Sequence, residues 1–229
     1  DMAVTYTNND YGKGLADAFV TAYEAVGGTV TVISGHEDDK ADYSADVAAL
    51  SAGGSATLAV LGYADTGGKG IIAASEDTGA FTDYVFADGM ISTTTSGAVG
   101  DGSWGTLPAP SGALAANWLS VAEAGGVDGT GAYSAESYDA MALIILASQA
   151  AGSTDRAAIQ AQVMNVANAP GIQCSAGGLG DCLKWISGGL VVDYVGATGV
   201  EFTAVGEGKG SYAEKEIIGG AFTTVASHE

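Results

Sequence analysis

The sequence predicts an α/β fold in which a mostly parallel sheet is flanked by helices. Within the first ninety residues, four β-rich runs alternate with three segments whose apolar residues have helical spacing. Residues 57–61 are apolar throughout, as in strands that are covered on both faces of a parallel sheet. Right-handed crossovers between such units place helices on both sides of the sheet.

The first strand–loop–helix unit is the best defined. Residues 3–7 alternate as in a strand, and the polar run Asn8, Asn9 and Asp10 ends it. We expect Asp10 to be the N-cap of the following helix. The predicted apolar face of this helix comprises Leu15, Phe19, Ala22 and Val26.

The next elements repeat the same alternation up to residue 90. The predicted strands are 29–33, 57–61 and 83–87, the predicted helix is 66–78, and a short helix carries Tyr43, Val47 and Leu50 on one face. Between the second strand and the short helix, Glu37, Asp38 and Asp39 are interpreted as solvated loop residues.

Three large or charged side chains come just after predicted strand ends: Tyr11, Tyr63 and Asp88. Because the carboxyl ends of parallel strands share one edge, where ligands bind in open α/β sheets, we expect them to gather there. Tyr11 either packs over the helix start or faces a ligand. Asp88 either caps the next turn or balances an ammonium group in a desolvated cleft.

The pattern changes after residue 103. Residues 103–110 contain two prolines near a tryptophan and are interpreted as a stiff connector between domains. Helices are predicted at 111–123, 134–151 and 154–165, with β-like segments only at 190–194, 200–203 and 216–225. Because these helices need a larger sheet to cover, we expect part of the polypeptide to lie outside this sequence.

Charge and hydropathy exclude several classes of partner. The formal charge of −20 disfavours binding to nucleic acid and to anionic membranes. The scattered acidic residues favour solubility in a salty medium, with attraction of cationic ligands as the alternative. No apolar run reaches the roughly 18 residues that a bilayer span needs. No signal peptide is recognisable, which leaves secretion open.

Motifs for enzymatic chemistry fail on spacing. Residues 62–69 resemble a phosphate loop, but glycine stands at position 68 where the motif needs lysine. His36 and His228 are the only histidines and lack metal-ligand spacing, so we expect no metal, no cofactor and no enzymatic activity.

Cys174 and Cys182, in a glycine-rich loop, form either a disulfide in an oxidising compartment or two free thiols.

Several segments together resemble one family. AVTYTNNDYGKGLADAF, ADYSADVAAL, LGYADTG, FADGM, SWGTLPAPSG, AYSAESYDAMALI and CSAGGLGDC are similar, in order and spacing, to segments of periplasmic solute-binding proteins of branched-chain-amino-acid-type ABC transporters. The resemblance implies the two-lobed type I periplasmic binding protein fold, with three crossings, hinge closure on a ligand and the first part of the amino-terminal lobe absent. It assigns residues 1–104 to the carboxy-terminal-type ligand-binding lobe, 105–211 to the other lobe, and 212–229 to a final strand returning to the first.

The resemblance also implies roles for residues. Tyr11 and Tyr63 would line the cleft, Asp88 would take the ligand's α-ammonium group, and Cys174 with Cys182 would form the disulfide of one subgroup. The usual segment for the α-carboxylate has no counterpart here, and Ala64 stands where some members carry an aromatic or polar residue, so the ligand is left as an amino acid or a related small molecule.

The implied function is that of a non-enzymatic binding protein in the periplasm of a Gram-negative bacterium. Its partner would be the transporter's membrane permease, to which it would deliver the captured small molecule. The alternative is a ligand-sensing domain of a receptor on the same fold.

Overall fold

The computed structural model describes residues 1–228. The chain divides into two compact units. The first comprises residues 1–107 and 214–226, and the second is built around residues 108–213.

In the first unit, strands and helices alternate as the sequence predicts. In chain order they are β1 (Met2–Thr7), α1 (Asp10–Ala25), β2 (Val30–His36), α2 (Ser44–Ser51), β3 (Thr57–Leu61), α3 (Gly67–Thr78), β4 (Asp83–Phe86), a 3-10 turn (Asp88–Met90), the single turn α4 (Thr93–Ser96) and β5 (Trp104–Pro108).

The later elements lie mostly in the second unit. They are α5 (Gly112–Ala124), α6 (Ser134–Ala151), α7 (Arg156–Ala167), β6 (Ile172–Ser175), α8 (Leu179–Ser187) and β7 (Val192–Gly196), followed by β8 (Tyr212–Ile218) and β9 (Ala221–His228).

The main sheet has seven strands in the order β2-β1-β3-β4-β5-β8-β9. β1 pairs in parallel with β2 and β3, β3 with β4, and β4 with β5. Leu58 and Val60 of β3 belong to one apolar cluster, whereas Ala59 and Leu61 belong to another. Since successive strand residues point to opposite faces, β3 is covered on both faces, and the predicted parallel α/β sheet is confirmed.

The start of α1 differs from the prediction in two ways. Asn9, not Asp10, is the N-cap, because its side-chain oxygen accepts a hydrogen bond from the Gly12 amide over 2.9 Å. Gly12 and Ala16 are buried, and Leu15 and Phe19 of the predicted face pack against the same apolar cluster, but Val26 is 83% exposed. Tyr11 lies in the first turn of the helix rather than on a loop.

The ends of the sheet also differ from the prediction. Residues 104–108 form a strand beside β4 rather than only a connector. The predicted final strand 216–225 is two strands, because Gly219 and Gly220 both have positive φ and form a two-residue turn between β8 and β9. Such a turn joins antiparallel neighbours.

The second unit contains a two-stranded parallel sheet of β6 and β7 with helices packed around it. Cys174 and Cys182 form a disulfide, and both are buried. They lie on β6 and α8, so the glycine-rich segment is not the continuous loop that was predicted. Residues 200–203 are not a strand; Phe202 forms an isolated bridge with Gly208.

Asp139 of α6 organises the chain that follows β7. Its carboxylate, 2% exposed, accepts hydrogen bonds over 2.8 Å from the Tyr194 hydroxyl, the Ala197 amide, and both the amide and the hydroxyl of Thr198. Burial, together with the neighbouring carboxylate, raises the pKa of Tyr194, so its hydroxyl stays protonated and donates. Gly196, with φ of 63°, comes so close to the carboxylate that a Cβ there would overlap it.

Candidate functional site

Tyr11, Tyr63 and Asp88 lie together at the carboxyl edge of the main sheet. The Tyr11 hydroxyl donates to Asp88 Oδ1 over 2.8 Å. The Tyr11 and Tyr63 rings are stacked, with centroids 5.2 Å apart and planes inclined by 22°. All three side chains are half-buried. The prediction that these strand-end residues gather at one edge is confirmed, and their role in binding stays a prediction.

Backbone packing holds these side chains close. A Cβ on Gly89 would lie 2.5 Å from the Gly62 carbonyl oxygen and 3.4 Å from the Tyr11 hydroxyl, so the approach requires glycine. The Ala64 amide donates to the Gly89 carbonyl over 3.0 Å. The chain after β3, which carries Tyr63, is thereby fixed against the turn that carries Asp88.

Asp38 joins the same edge, although the sequence analysis left it in solvent. Its carboxylate accepts from the hydroxyls of Thr7 and Thr66, over 2.7 and 2.8 Å, and from the Gly67 amide over 3.3 Å. Burial raises the pKa of Asp38, but these hydrogen bonds outweigh it and leave the pKa below its ordinary value. Asp38 therefore connects the end of β1 to the start of α3.

His36 is a second residue that the sequence analysis did not place at this edge. The predicted strand ended at residue 33, whereas β2 continues to His36, which pairs with Thr7 of β1. Its side chain is 1% exposed. Two threonines in the otherwise apolar strand β1 could have indicated a polar partner nearby. Thr5 and Thr7 are both buried, and buried hydroxyl groups need hydrogen-bond partners.

The second unit has a separate cavity of about 400 Å³. Its lining includes Tyr133, Glu136, Asp139 and Leu143. Within residues 1–228, Tyr133 is the only non-glycine residue with positive φ, 59°. Burial raises the pKa of Glu136. The sequence analysis assigned no role to these residues.

The described residues contain neither a candidate metal centre nor a candidate membrane-spanning helix. Residues 1–228 contain no group of three or more His, Cys, Asp or Glu residues arranged to hold a metal ion. None of their helices is long and apolar enough to cross a membrane.

Solved structures similar to this one cover nearly all of the chain. A leucine-binding protein from Thermotoga maritima MSB8 has a TM-score of 0.69 and 20% identity, over 100% of this chain and 60% of its own. A type 1 periplasmic binding protein from Bordetella pertussis Tohama I has a TM-score of 0.72 and 16% identity, over 98% and 61%. An ABC-transporter solute-binding protein from R. palustris, in complex with 4-hydroxybenzoate, has a TM-score of 0.70 and 14% identity, over 100% and 60%.

These similarities define the fold as that of the type I periplasmic binding proteins. Structural neighbours with this fold are solute-binding proteins of ABC transporters, and one from Desulfitobacterium hafniense is a complex with Leu. The chain spans about 60% of the length of the structures it matches. No protein-family model matches the sequence, and no curated protein matches it either.

Proposed function

We propose that this chain belongs to a periplasmic solute-binding protein of an ABC transporter, which captures an amino acid or a related molecule with an ammonium group. In this proposal the protein catalyses no reaction and delivers its ligand to a membrane permease. The observation that carries the proposal is the Asp88 carboxylate at the sheet edge, hydrogen-bonded to Tyr11, whose ring stacks on that of Tyr63.

The charge of Asp88 distinguishes between the ligand classes of the neighbouring structures. Those neighbours include complexes with Leu, with benzoate and with 4-hydroxybenzoate. A half-buried carboxylate attracts an ammonium group and repels a benzoate carboxylate at short range. A carboxylate can accept several hydrogen bonds, so the contact with Tyr11 is compatible with a further bond from an ammonium group. The site therefore favours the amino acid over the aromatic acids.

The two tyrosines support the same class of ligand. The faces of aromatic rings attract cations, so an ammonium group beside Asp88 would gain a second favourable contact from Tyr11 or Tyr63. Tyr11 also orients the carboxylate, since its hydroxyl holds one of the two oxygens. Aromatic rings also pack favourably against the apolar parts of a ligand.

Calorimetric titration tests this proposal with L-leucine, benzoate and 4-hydroxybenzoate as probes. We expect L-leucine to bind and the two aromatic acids to bind more weakly. Loss of a charge-assisted bond of about 1.5–3 kcal/mol predicts a roughly 10- to 100-fold loss of affinity for L-leucine in Asp88→Asn.

The matched control is Asp65→Asn. Asp65 is exposed and follows the same strand as Tyr63, so the substitution removes the same charge from the same edge. We expect it to leave the affinity unchanged. Equal affinity of the wild type and Asp88→Asn for L-leucine would refute the ammonium role, and tighter binding of benzoate than of L-leucine would refute the ligand class.

A further inference from the structure

His36 has an unusual hydrogen-bonding state. Its Nδ1 lies 2.8 Å from Thr5 Oγ1, and the single proton of that hydroxyl is donated to the Ser34 carbonyl over 3.0 Å. The hydrogen-bond pattern therefore assigns the ring proton to Nδ1. Nε2 is then an unprotonated acceptor, and it has no hydrogen-bond partner among the described residues although it is fully buried.

The imidazole of His36 packs against the backbone on either side of Tyr63, one of the candidate-site residues. A Cβ on Gly62 would be 3.0 Å from Nε2, and a Cβ on Gly67 would be 2.7 Å from Cδ2. The ring is thus packed between the end of β3 and the start of α3. Tyr63 lies in the segment between Gly62 and Gly67. The same segment packs against Gly89, because the Gly62 carbonyl oxygen lies close to Gly89 and the Ala64 amide donates to the Gly89 carbonyl. A displacement of the ring therefore moves the backbone that positions Tyr63 against Tyr11 and Gly89.

We propose that His36 is a positioning residue that must be neutral for the Tyr11–Tyr63–Asp88 site to keep its geometry, so that acidification weakens ligand binding. The inference rests on the proposed function of that site. It adds a proton-dependent regulation by a buried residue outside the Tyr11–Tyr63–Asp88 set.

Protonation gives Nε2 a proton with no acceptor in place. An unsatisfied buried donor, here also charged, is costly, and the ring must move toward an acceptor. Among the neighbouring carboxylates, Asp38 stabilises the charged ring most. A hydrogen bond from Nε2 to Asp38 would compete with the hydrogen bonds that Asp38 accepts from Thr66 and Gly67, which hold the start of α3.

The charges around His36 come from the chain after β2 and from α2. Asp38 and Glu37 on the chain after β2 and Asp46 on α2 favour its protonation, whereas Lys40 opposes it, and the Tyr43 ring packs edge-on against it. Burial outweighs the carboxylates and lowers the pKa of His36 below its ordinary value of 6.5. The unfolded chain consequently binds the proton first, and the stability linked to His36 falls as the pH drops below about 6.5 toward the lower folded-state pKa.

The first experiment follows the pH titration of the ligand-free protein by NMR. The chain has two histidines, and His36 is buried whereas His228 is exposed, so their ring signals can be told apart. We expect the His36 ring to be the Nδ1–H tautomer at pH 7 and its pKa to lie below the ordinary value of 6.5. The amide signals of Gly62, Gly67 and Gly89 should shift with the midpoint of His36.

The second experiment measures the affinity for L-leucine between pH 7.5 and 5. The dissociation constant should rise about tenfold for each pH unit below the His36 midpoint. His36→Asn keeps a donor toward Thr5 without titrating, and should remove this dependence, whereas His228→Asn should retain it.

The outcomes separate this inference from the proposed function. Amide signals that do not follow His36, or an affinity for L-leucine with the same pH dependence in His36→Asn, would overturn the inference and leave the binding function standing. If L-leucine does not bind at any pH, the proposed ligand is wrong, and the amide titration alone decides the role of His36. That titration needs no variant, so it remains decisive even if His36→Asn does not fold.

Discussion

Replacement of Asp139 by alanine should destabilise the second unit strongly. The substitution leaves four donors without their common acceptor: the buried Tyr194 hydroxyl and Ala197 amide, and the half-buried amide and hydroxyl of Thr198. Each unsatisfied donor costs about 1–3 kcal/mol, and water entering the vacated space recovers part of this. We therefore expect a loss of about 3–5 kcal/mol in the free energy of unfolding, a large share of what a domain of this size has.

Hydrogen exchange is the suitable assay, because a chain with two compact units need not unfold in one step. Exchange of amides in β7 and α6, measured by mass spectrometry, should accelerate in Asp139→Ala while that of β1 and β3 stays unchanged. Asp181→Ala is the control, since Asp181 forms an exposed ion pair with Lys184, and such pairs contribute little.

A double-mutant cycle with Tyr194→Phe sharpens the test. Removing this hydroxyl alone deletes one donor and should cost about 1 kcal/mol. Because both substitutions remove the same bond, their combined cost should be less than the sum. A loss below about 1 kcal/mol for Asp139→Ala, or strict additivity in the cycle, would refute the view that this carboxylate holds the segment after β7.

Three further changes in stability are expected from local geometry. Gly12→Ala should destabilise the first unit, because a Cβ at this position would overlap the β1 backbone. Gly14 lies on the same helix with open space around it, so Gly14→Ala should stabilise the unit by roughly 0.5–1 kcal/mol. Thermal denaturation of the two variants measures both effects. Asn9→Ala should cost about 1 kcal/mol through loss of the N-cap, measured in the same way, and an unchanged melting temperature would contradict the assignment. Reduction of the Cys174–Cys182 bond should cost about 2.5 kcal/mol in the chain-entropy model, measured by urea unfolding with and without reductant; coincident curves would count against it.

Elements with strong periodicity were predictable from the sequence. The structure has β3 at Thr57–Leu61 and α6 at Ser134–Ala151, the ranges that the apolar patterns predicted. β6 was missed because it is short and mostly exposed, and its pairing with β7 is a contact that local sequence does not reveal. α8 was missed because glycines interrupt its start, although its amphipathic pattern was present.

The candidate site was predictable in position but not in detail. The rule that strand ends share one edge was enough to bring Tyr11, Tyr63 and Asp88 together. The stacking of the tyrosines and the bond to Asp88 depend on side-chain directions that spacing alone does not define. His36 was missed because the β-rich pattern was taken to end at residue 33, whereas parallel pairing with β1 continues the strand through His36.

The position of β8 has a consequence for how the chain folds. β8 lies beside β5 in the main sheet, and Ile217 exchanges backbone hydrogen bonds with Gly102 and Ser103, more than a hundred residues earlier. Closing a loop of that length costs about 2 kcal/mol more in chain entropy than closing one of ten residues. During synthesis, β1 to β5 can pair as soon as they emerge from the ribosome, but the β5 edge stays open until residues 212–218 follow. An unpaired edge of this kind invites pairing with other chains. Rapid folding of the second unit, which brings the two distant segments together, would shorten that exposure.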